Sequence, residues 1–224
     1  MPATDPTSSG TTPSILSIQV GRPRQYGQAG AADPLERPWT SGIAKQPVSG
    51  RLRLTLTNLA GDEQADRENH GGPDKAVLAY AASHYPLWRE ELGRDLPFGA
   101  FGENLTVLGL DEETVCIGDV FSLGTARLEV SQPRQPCWKL ARRWGIKDLT
   151  ARVEATGRTG WYLRVLEAGV VAAGQSLHLL SRACPEWTVA RATRAMRRRE
   201  ADPQLAAALA ACPALAKTWR EALR

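Results

Sequence analysis

The sequence predicts a mainly β protein with some α-helix (α+β class): a β-rich barrel or sandwich followed by a small three-helix module. Apolar and polar residues alternate in several short segments bounded by turn residues, as in antiparallel strands. Few helical segments lie between these strands, which disfavours a parallel βαβ fold. The C-terminal segment, 183–224, is instead rich in Ala and Arg, with apolar residues at helical spacing.

Length and composition are those of an ordinary globular protein. The 224 residues, 42% apolar and 23% charged, can hold one medium domain and a small appendage. The net charge of +4 suits anionic small molecules, phosphates or nucleic acid without selecting among them. The four cysteines have no C-x-x-C spacing, so we expect a cytoplasmic protein with reduced thiols.

The N-terminal tail, 1–13, is predicted to be disordered because it is rich in Pro, Ser and Thr. It also lacks the basic region and apolar core of a secretory signal. No apolar run approaches the ~20 residues needed to cross a bilayer, so no membrane partner is expected. The β-rich domain is therefore assigned to 14–182.

The first half of this domain contains strands, a long loop and a helical segment. Residues 14–20 have β-branched side chains at strand spacing and lead into a long loop rich in Gly, Pro and Arg. Loops of this length are uncommon unless they bind something. Residues 48–64 alternate leucines with polar residues, which predicts a strand with one buried face. Residues 75–92 have a helical pattern that Pro86 is expected to split into two short helices.

The second half contains two predicted hairpins with a helical segment between them. In the first hairpin, two alternating runs within 115–131 meet at Gly124 and Thr125. Residues 160–182 predict the second hairpin, and 137–157 are helical in character. In the C-terminal module, prolines at two positions are expected to start helices; these are Pro203 and Pro213.

Cys137 is the first candidate for chemistry. Pro133 and Pro136 stiffen the loop around it, because each fixes φ and restricts the preceding residue. Arg134 and Lys139 would stabilise a thiolate, which is a nucleophile and a soft metal ligand. Free cysteines are also often small buried apolar residues, and the local residues leave both interpretations open. Burial is favoured for the other three cysteines, Cys116, Cys184 and Cys212.

His70 opens a second candidate, the loop HGGPD. Its two glycines permit positive φ, its proline fixes the turn and its aspartate can cap a helix, so the loop can present backbone amides and an imidazole. An anion or a planar heterocycle would fit there. A plain turn leading into a helix, with a solvated histidine, explains the same residues. Glu103 and Asn104 likewise could orient a ligand or close a turn.

Several classes of protein are disfavoured. The sequence has no Rossmann, Walker A, zinc metalloprotease or serine hydrolase motif. Arg197–Arg199 is better explained as a solvated helix face than as a nucleic-acid contact, because no interleaved aromatic residues accompany it. No nucleic-acid partner is therefore expected.

Four segments of the sequence carry a resemblance to a known family: GDEQADRENHGGPDKAVLAY, FGENLT, IGDVFSLGTARLEVSQPRQPCWKL and TGRTGWY. Together they resemble the YiiM-like branch of the MOSC-domain family, whose domain is shared with the C-terminal part of molybdenum-cofactor sulfurases. The resemblance follows the family's order through 14–182, and the helices of 183–224 resemble the module that follows the MOSC domain in this branch. The tail and the loop 21–39 depart from the family pattern.

The resemblance implies a MOSC-type β-barrel and a molybdenum–pterin cofactor (Moco), with Cys137 as the thiolate ligand of the molybdenum. It also implies reduction of N-hydroxylated base analogues such as 6-hydroxylaminopurine to amines, a detoxification. The family signature is further associated with pyridoxal phosphate. His70 would be the proton donor and Arg134 a clamp for an anion or the substrate. The other implied cofactor-binding residues are Lys45, Gly71, Gly72, Asp74, Glu103, Asn104 and Lys139.

Two other functions use the same residues. Cys137 could carry a persulfide as a sulfur carrier, or the protein could store the cofactor without catalysis while its helices dock another protein. A reductase would need an external electron-donor protein, because the sequence has no flavin, haem or iron–sulfur motif. Its other partner would be an N-hydroxylated purine or related small molecule. The oligomeric state is open between a monomer and a homodimer.

Overall fold

The computed structural model describes residues 12–66 and 70–224. The predicted disordered tail, 1–13, therefore lies outside the described residues except for Thr12 and Pro13. No helix of the described part is long and apolar enough to span a membrane.

The described residues form twelve strands, six α-helices and two short 3-10 helices. The strands are β1 (Ser14–Val20), β2 (Arg24–Tyr26), β3 (Trp39–Ser41), β4 (Gln46–Val48), β5 (Leu52–Leu54), β6 (Val77–Ala81), β7 (Leu105–Leu108), β8 (Asp119–Leu123), β9 (Ala126–Pro133), β10 (Trp161–Glu167), β11 (Gly169–Val171) and β12 (Leu177–Arg182). The α-helices are α1 (His84–Leu92), α2 (Lys139–Trp144), α3 (Leu149–Thr156), α4 (Val189–Arg197), α5 (Pro203–Ala210) and α6 (Lys217–Ala222), and the 3-10 helices are Pro34–Glu36 and Pro73–Lys75.

Eight strands form one curled sheet in the order β12-β8-β9-β10-β6-β7-β1-β4. Neighbours pair antiparallel except β6 and β7, which are parallel. The start of β1 also bonds to the chain at the opposite edge: the Leu177 N–H donates to the Pro13 carbonyl (2.8 Å) and the Ile15 N–H to the Gln175 carbonyl (2.9 Å). The sheet thus curls back on itself like a barrel, and the predicted fold class, mainly β with α, is confirmed.

Strand β6 lies at the centre of this sheet and is buried along its whole length. Val77 and Ala79 face the main apolar core, whereas Tyr80 packs into a second cluster with Trp88 and Phe101. Because both faces are covered, the strand has no alternation of apolar and polar residues.

The prediction of helix over 75–92 is therefore wrong in its first half, where the chain forms β6. The second half is one helix, α1, rather than two. Pro86 is its third residue, a position where a backbone N–H has no partner within the helix, so the proline interrupts nothing. The helix ends at Gly93, which adopts the left-handed conformation.

The first predicted hairpin is confirmed and the second is wrong. Strands β8 and β9 pair with Leu123 opposite Ala126, so Gly124 and Thr125 form the turn. Strand β10 instead pairs with β9 and β6, and β12 pairs with β8. The alternation of apolar and polar residues identified these strands but not the strands they pair with, since any two strands with one buried face can pair.

Several other predicted elements have different bounds in the structure. The helical segment 137–157 contains two helices, α2 and α3, and ends at Gly157 as expected. The strand predicted within 48–64 is limited to β5, because the chain turns where the Thr55 N–H donates to the Asn58 carbonyl (2.9 Å). Pro203 is the first residue of α5, but Pro213 does not start a helix, since α6 begins at Lys217.

The C-terminal helices pack against the sheet and share its apolar core. Trp187 and Met196 belong to the same buried cluster as Leu128 of β9. The Ala216 N–H also donates to the carbonyl of Ser131 (2.9 Å), which ties the start of α6 to β9. The three cysteines expected to be buried are buried: Cys116, Cys184 and Cys212.

Candidate functional site

A cleft opens at the end of β9, where the loops around 41–45, 63–66 and 101–104 meet the segment 134–139. It encloses about 640 Å³ of space including its open mouth. An outer recess shares several lining residues with it, among them Cys137 and His70, so the two form one continuous cleft.

Cys137 is half-buried and lines both parts of the cleft. It lies in the connection between β9 and α2. Its carbonyl accepts the Leu140 N–H (3.1 Å) and the Thr150 hydroxyl (3.2 Å), which fixes the loop at the start of α2. The thiol is therefore held by backbone contacts and the prolines around it, and access from the cleft is retained.

Arg134 is a buried cation in the wall of the cleft, only 5% exposed. Its Nη2 donates to the carbonyl of Phe101 (2.9 Å), and its backbone N–H donates to the carbonyl of Gly160 (3.0 Å). Its Nη1 has no hydrogen-bond partner among the described residues. An unpaired buried donor is unfavourable, and an anionic oxygen in the cleft would satisfy it.

Glu103 lies behind the wall of the cleft, fully buried, and organises the turn that holds Arg134. Its carboxylate accepts the N–H groups of Gly99 (2.6 Å) and Phe101 (3.1 Å), both in that turn. It also accepts the Tyr85 and Thr106 hydroxyls. The carboxylate thus fixes the backbone whose Phe101 carbonyl binds Arg134, and it does not line the cleft.

His70 lines the cleft, and its backbone N–H donates to the Asp66 carbonyl (3.0 Å). Burial lowers the pKa of its imidazole below the ordinary value, and the nearby positive charge of Lys139 lowers it further, while Asp66 opposes the shift. At neutral pH the imidazole of the ligand-free protein is therefore mostly uncharged.

This shift predicts a pH dependence of stability for the cofactor-free protein. A histidine whose pKa is lowered on folding binds more protons in the unfolded state, so the free energy of unfolding falls as the pH drops below 6.5 towards the folded-state pKa. His70→Gln should reduce this fall, measured by urea unfolding at several pH values. His178→Gln, at an exposed position on β12, is the matched control. Equal pH dependence in all three proteins would contradict the expectation.

Four cations and two carboxylates of the described residues line the inner cleft, so it is positively charged. Lys45 is buried, and its ammonium pairs with Asp62. Burial lowers the pKa of Lys45, and Asp62 opposes the shift. Because this charge is already matched, Arg134, whose Nη1 has no hydrogen-bond partner among the described residues, is better placed to meet an anion. The cations are Lys45, Lys75, Arg134 and Lys139, and the carboxylates are Glu63 and Asp66.

The structure brings six of the predicted site residues to the cleft and sets the others apart. One of the six, Asn104, uses its side-chain amide to bond the backbone of Leu78 and Gln19, so the amide joins two strands. Asp74 pairs with Arg164 and accepts the Lys217 N–H, away from the cleft. Gly71 and Gly72 shape the turn before the second 3-10 helix and do not line the cleft. The six are Lys45, His70, Asn104, Arg134, Cys137 and Lys139.

Several residues of the cleft were missed from the sequence, among them Lys75, Gln132, Trp138 and Tyr162. Gln132 is 2% exposed, and its Oε1 has no hydrogen-bond partner within 12–66 and 70–224. Burial raises the pKa of Tyr162, and the negative charge of a Cys137 thiolate raises it further, so the phenol stays protonated. Tyr162 is the last residue of the segment TGRTGWY, and the family resemblance of that segment was the sequence signal that could have identified it as a site residue.

The side chains present suit a large anionic ligand with a metal. Arg134 and Gln132, each with a buried side-chain atom that lacks a partner among the described residues, line one positively charged cleft with Cys137. A thiolate is a soft ligand that suits a soft metal centre, and the guanidinium suits a phosphate. Within the described ranges, no group of three or more His, Cys, Asp or Glu residues could hold a metal ion.

Comparison with known proteins identifies two matching families. The model described as MOSC domain matches residues 66–178, and the model described as YiiM-like, 3-alpha helix domain matches residues 187–224. YflK of Bacillus subtilis (strain 168) is 52% identical over 169 residues, 75% of this chain and 74% of YflK.

Two further similarities cover nearly the whole chain. A protein of Gibberella moniliformis named Reductase is 38% identical over 208 residues, 91% of this chain but 35% of the fungal protein, so the chain spans about a third of it. The crystal structure of YiiM from Geobacillus stearothermophilus superposes with a TM-score of 0.78 and 36% identity, covering 94% of this chain and 97% of that one.

Proposed function

The chain belongs to the MOSC-domain family, and on this premise we propose that it is a molybdenum-cofactor-dependent reductase of N-hydroxylated compounds. The observation that carries the proposal is the accessible Cys137 thiol in one cleft with the unpaired Nη1 of Arg134. The relative named Reductase supports the reaction class, as a property of that longer protein.

Three groups of side chains would hold the cofactor. Cys137 would be the protein ligand of the molybdenum, because a thiolate suits a soft metal. Arg134, with Lys75 and Lys139 nearby, would bind the phosphate of the cofactor through charge-assisted hydrogen bonds. The orphan Oε1 of Gln132 would accept an N–H of the pterin or of the substrate. When bound, the cofactor would supply the two electrons of the reduction.

The remaining residues would handle protons. Conversion of an N-hydroxylamine, R–NH–OH, to the amine R–NH2 consumes two electrons and two protons and releases water. His70 is the proposed proton donor at the cleft: its imidazole is mostly uncharged in the ligand-free protein, and a bound anion would raise its pKa and favour the imidazolium. The Tyr162 phenol, protonated at neutral pH, is a second donor within the same cleft. The electrons would come from an external reductase partner, because the sequence has no flavin, haem or iron–sulfur motif.

His70 is expected to act in turnover more than in retention of the cofactor. His70→Gln keeps a polar side chain but cannot donate a proton from an imidazolium, so turnover should fall about 10²- to 10⁴-fold. Molybdenum content, measured by elemental analysis of the same preparation, should stay near that of the wild type. Loss of molybdenum with unchanged turnover per bound metal would instead assign His70 to cofactor binding.

The proposed function is tested by expressing the protein in a host that makes the pterin cofactor. Molybdenum at about one atom per chain, together with reduction of 6-hydroxylaminopurine by an artificial electron donor, is the expected result. Molybdenum without reduction would favour a storage module. A cyanolysable sulfur on Cys137 without molybdenum would favour a sulfur carrier.

A further inference from the structure

Trp138 lines the outer recess of the cleft, directly after Cys137 in the chain. Its side chain is 52% exposed, although tryptophan is among the most apolar and bulky residues. An isolated exposed aromatic ring needs no explanation, but one that lines a cleft beside a candidate metal ligand does.

The surroundings hold this indole in place. The Arg142 guanidinium lies 5.0 Å and the Lys139 ammonium 5.7 Å from the centroid of the Trp138 ring, and the Trp39 ring meets it edge-on at 5.9 Å. Trp39 in turn stacks on Tyr26 at 4.7 Å. These contacts are cation–π and aromatic interactions that fix orientation.

Arg142 itself is anchored to the segment 27–38. The long loop predicted at 21–39 in fact contains β2 and the start of β3, which pair, and this segment joins them. The Arg142 guanidinium donates to the carbonyls of Leu35 (3.1 Å), Arg37 (2.8 Å) and Pro34. The segment therefore supports the indole through Arg142, Trp39 of β3 contacts it directly, and about half of the Trp138 side chain stays exposed. An aromatic surface that is built up and kept open in this way is preorganised for a ligand.

Polar groups near the ring suit a flat heterocycle. Gln132 and Tyr162 line the same recess as Trp138. The buried Oε1 of Gln132 has no partner among the described residues, and it can accept a ring or exocyclic N–H. A heteroaromatic base can both stack on the indole and donate such a bond, whereas a small aliphatic compound gains little from an aromatic face.

We propose that Trp138 is a specificity-determining residue: its indole, held by Arg142 and Trp39, stacks on the planar ring of the substrate next to Cys137. This inference rests on the proposed reductase function for the substrate's identity. Removing an aromatic ring that stacks on a base weakens binding by roughly 5- to 100-fold.

The first test measures binding and does not need turnover. Equilibrium dialysis of 6-hydroxylaminopurine against cofactor-free protein should give a dissociation constant raised roughly 5- to 100-fold in Trp138→Ala and largely restored in Trp138→Phe. Leu179→Ala, at an exposed position on β12, is the control and should bind as the wild type does. Equal binding by the wild type and Trp138→Ala would overturn the inference.

The second test uses the holoenzyme and two substrates, 6-hydroxylaminopurine and the non-aromatic N-hydroxyurea. Trp138→Ala should lower the ratio of kcat/KM for the base over that for N-hydroxyurea by the same factor, chiefly through KM. An unchanged ratio would overturn the inference while leaving the reductase function intact. Loss of the pterin from Trp138→Ala would overturn it too, since the ring would then bind the cofactor.

The two proposals fail in different ways. If the wild-type holoenzyme reduces neither compound, the reductase function is wrong, but Trp138-dependent dialysis binding of the base would still support the stacking surface. If the wild type binds no base in dialysis and the holoenzyme reduces both compounds with an unchanged ratio in Trp138→Ala, the stacking surface is wrong and the function stands.

Discussion

Cys137→Ala is expected to abolish both molybdenum binding and reduction of 6-hydroxylaminopurine while leaving the fold intact. Loss of groups that only support a metal ligand already lowers affinity about 10- to 100-fold, so loss of the ligand itself should exceed that range. The side chain is half-buried in a loop fixed by backbone hydrogen bonds, so the melting temperature should change little. Elemental analysis, a turnover assay and thermal unfolding measure the three effects.

Cys116→Ala is the matched control, because Cys116 is a buried cysteine outside the cleft. It should retain molybdenum and turnover per bound metal. Full turnover of Cys137→Ala with an artificial electron donor would exclude Cys137 as the metal ligand.

Glu103→Ala is expected to destabilise the protein by about 3–5 kcal/mol, because it leaves several buried donors without an acceptor. The stranded groups are the N–H groups of Gly99 and Phe101 and the hydroxyls of Tyr85 and Thr106. For a protein of this size such a loss lowers the melting temperature by roughly 6–20 °C. Urea unfolding measures the free energy directly.

The control for this prediction is Glu113→Ala. Glu113 is exposed, and its ion pair with Arg194 is exposed as well, so the change in stability should stay below about 0.5 kcal/mol. Similar effects of the two substitutions would contradict the positioning role of Glu103. Molybdenum content also distinguishes the two variants. Glu103→Ala frees the turn that holds the Phe101 carbonyl, the acceptor of Arg134, so this variant should also lower molybdenum content.

Local sequence signals predicted those parts of the fold that depend on neighbouring residues. Gly124 and Thr125 predicted the first hairpin, and Gly157 predicted the end of a helix. Strand β6 was misread because both of its faces are covered, which removes the alternation that marks a strand. The partner of β10 could not be predicted, since pairing depends on contacts between residues far apart in the chain.

In the candidate site, too, local sequence signals predicted some features, and others depended on contacts between distant residues. The prolines and cations around Cys137 made it a candidate from residues within one short segment, and in the structure it lines the cleft. By contrast, Asp74 and Lys75 are adjacent, yet the Asp74 carboxylate turns to Arg164 while Lys75 lines the cleft. The long-range bonds of Arg142 to the segment 27–38 had no sequence signal, because they join residues more than a hundred positions apart.

The apolar core shared by the sheet and the C-terminal helices has a consequence for how the chain unfolds. Trp187, Met196 and Trp219 pack in the same cluster as Leu128. Although two families describe the two segments, a chain cut after β12 would present an uncovered apolar face to water and would tend to aggregate. We therefore expect one cooperative melting transition for the whole protein, with loss of the helices and of the cleft occurring together.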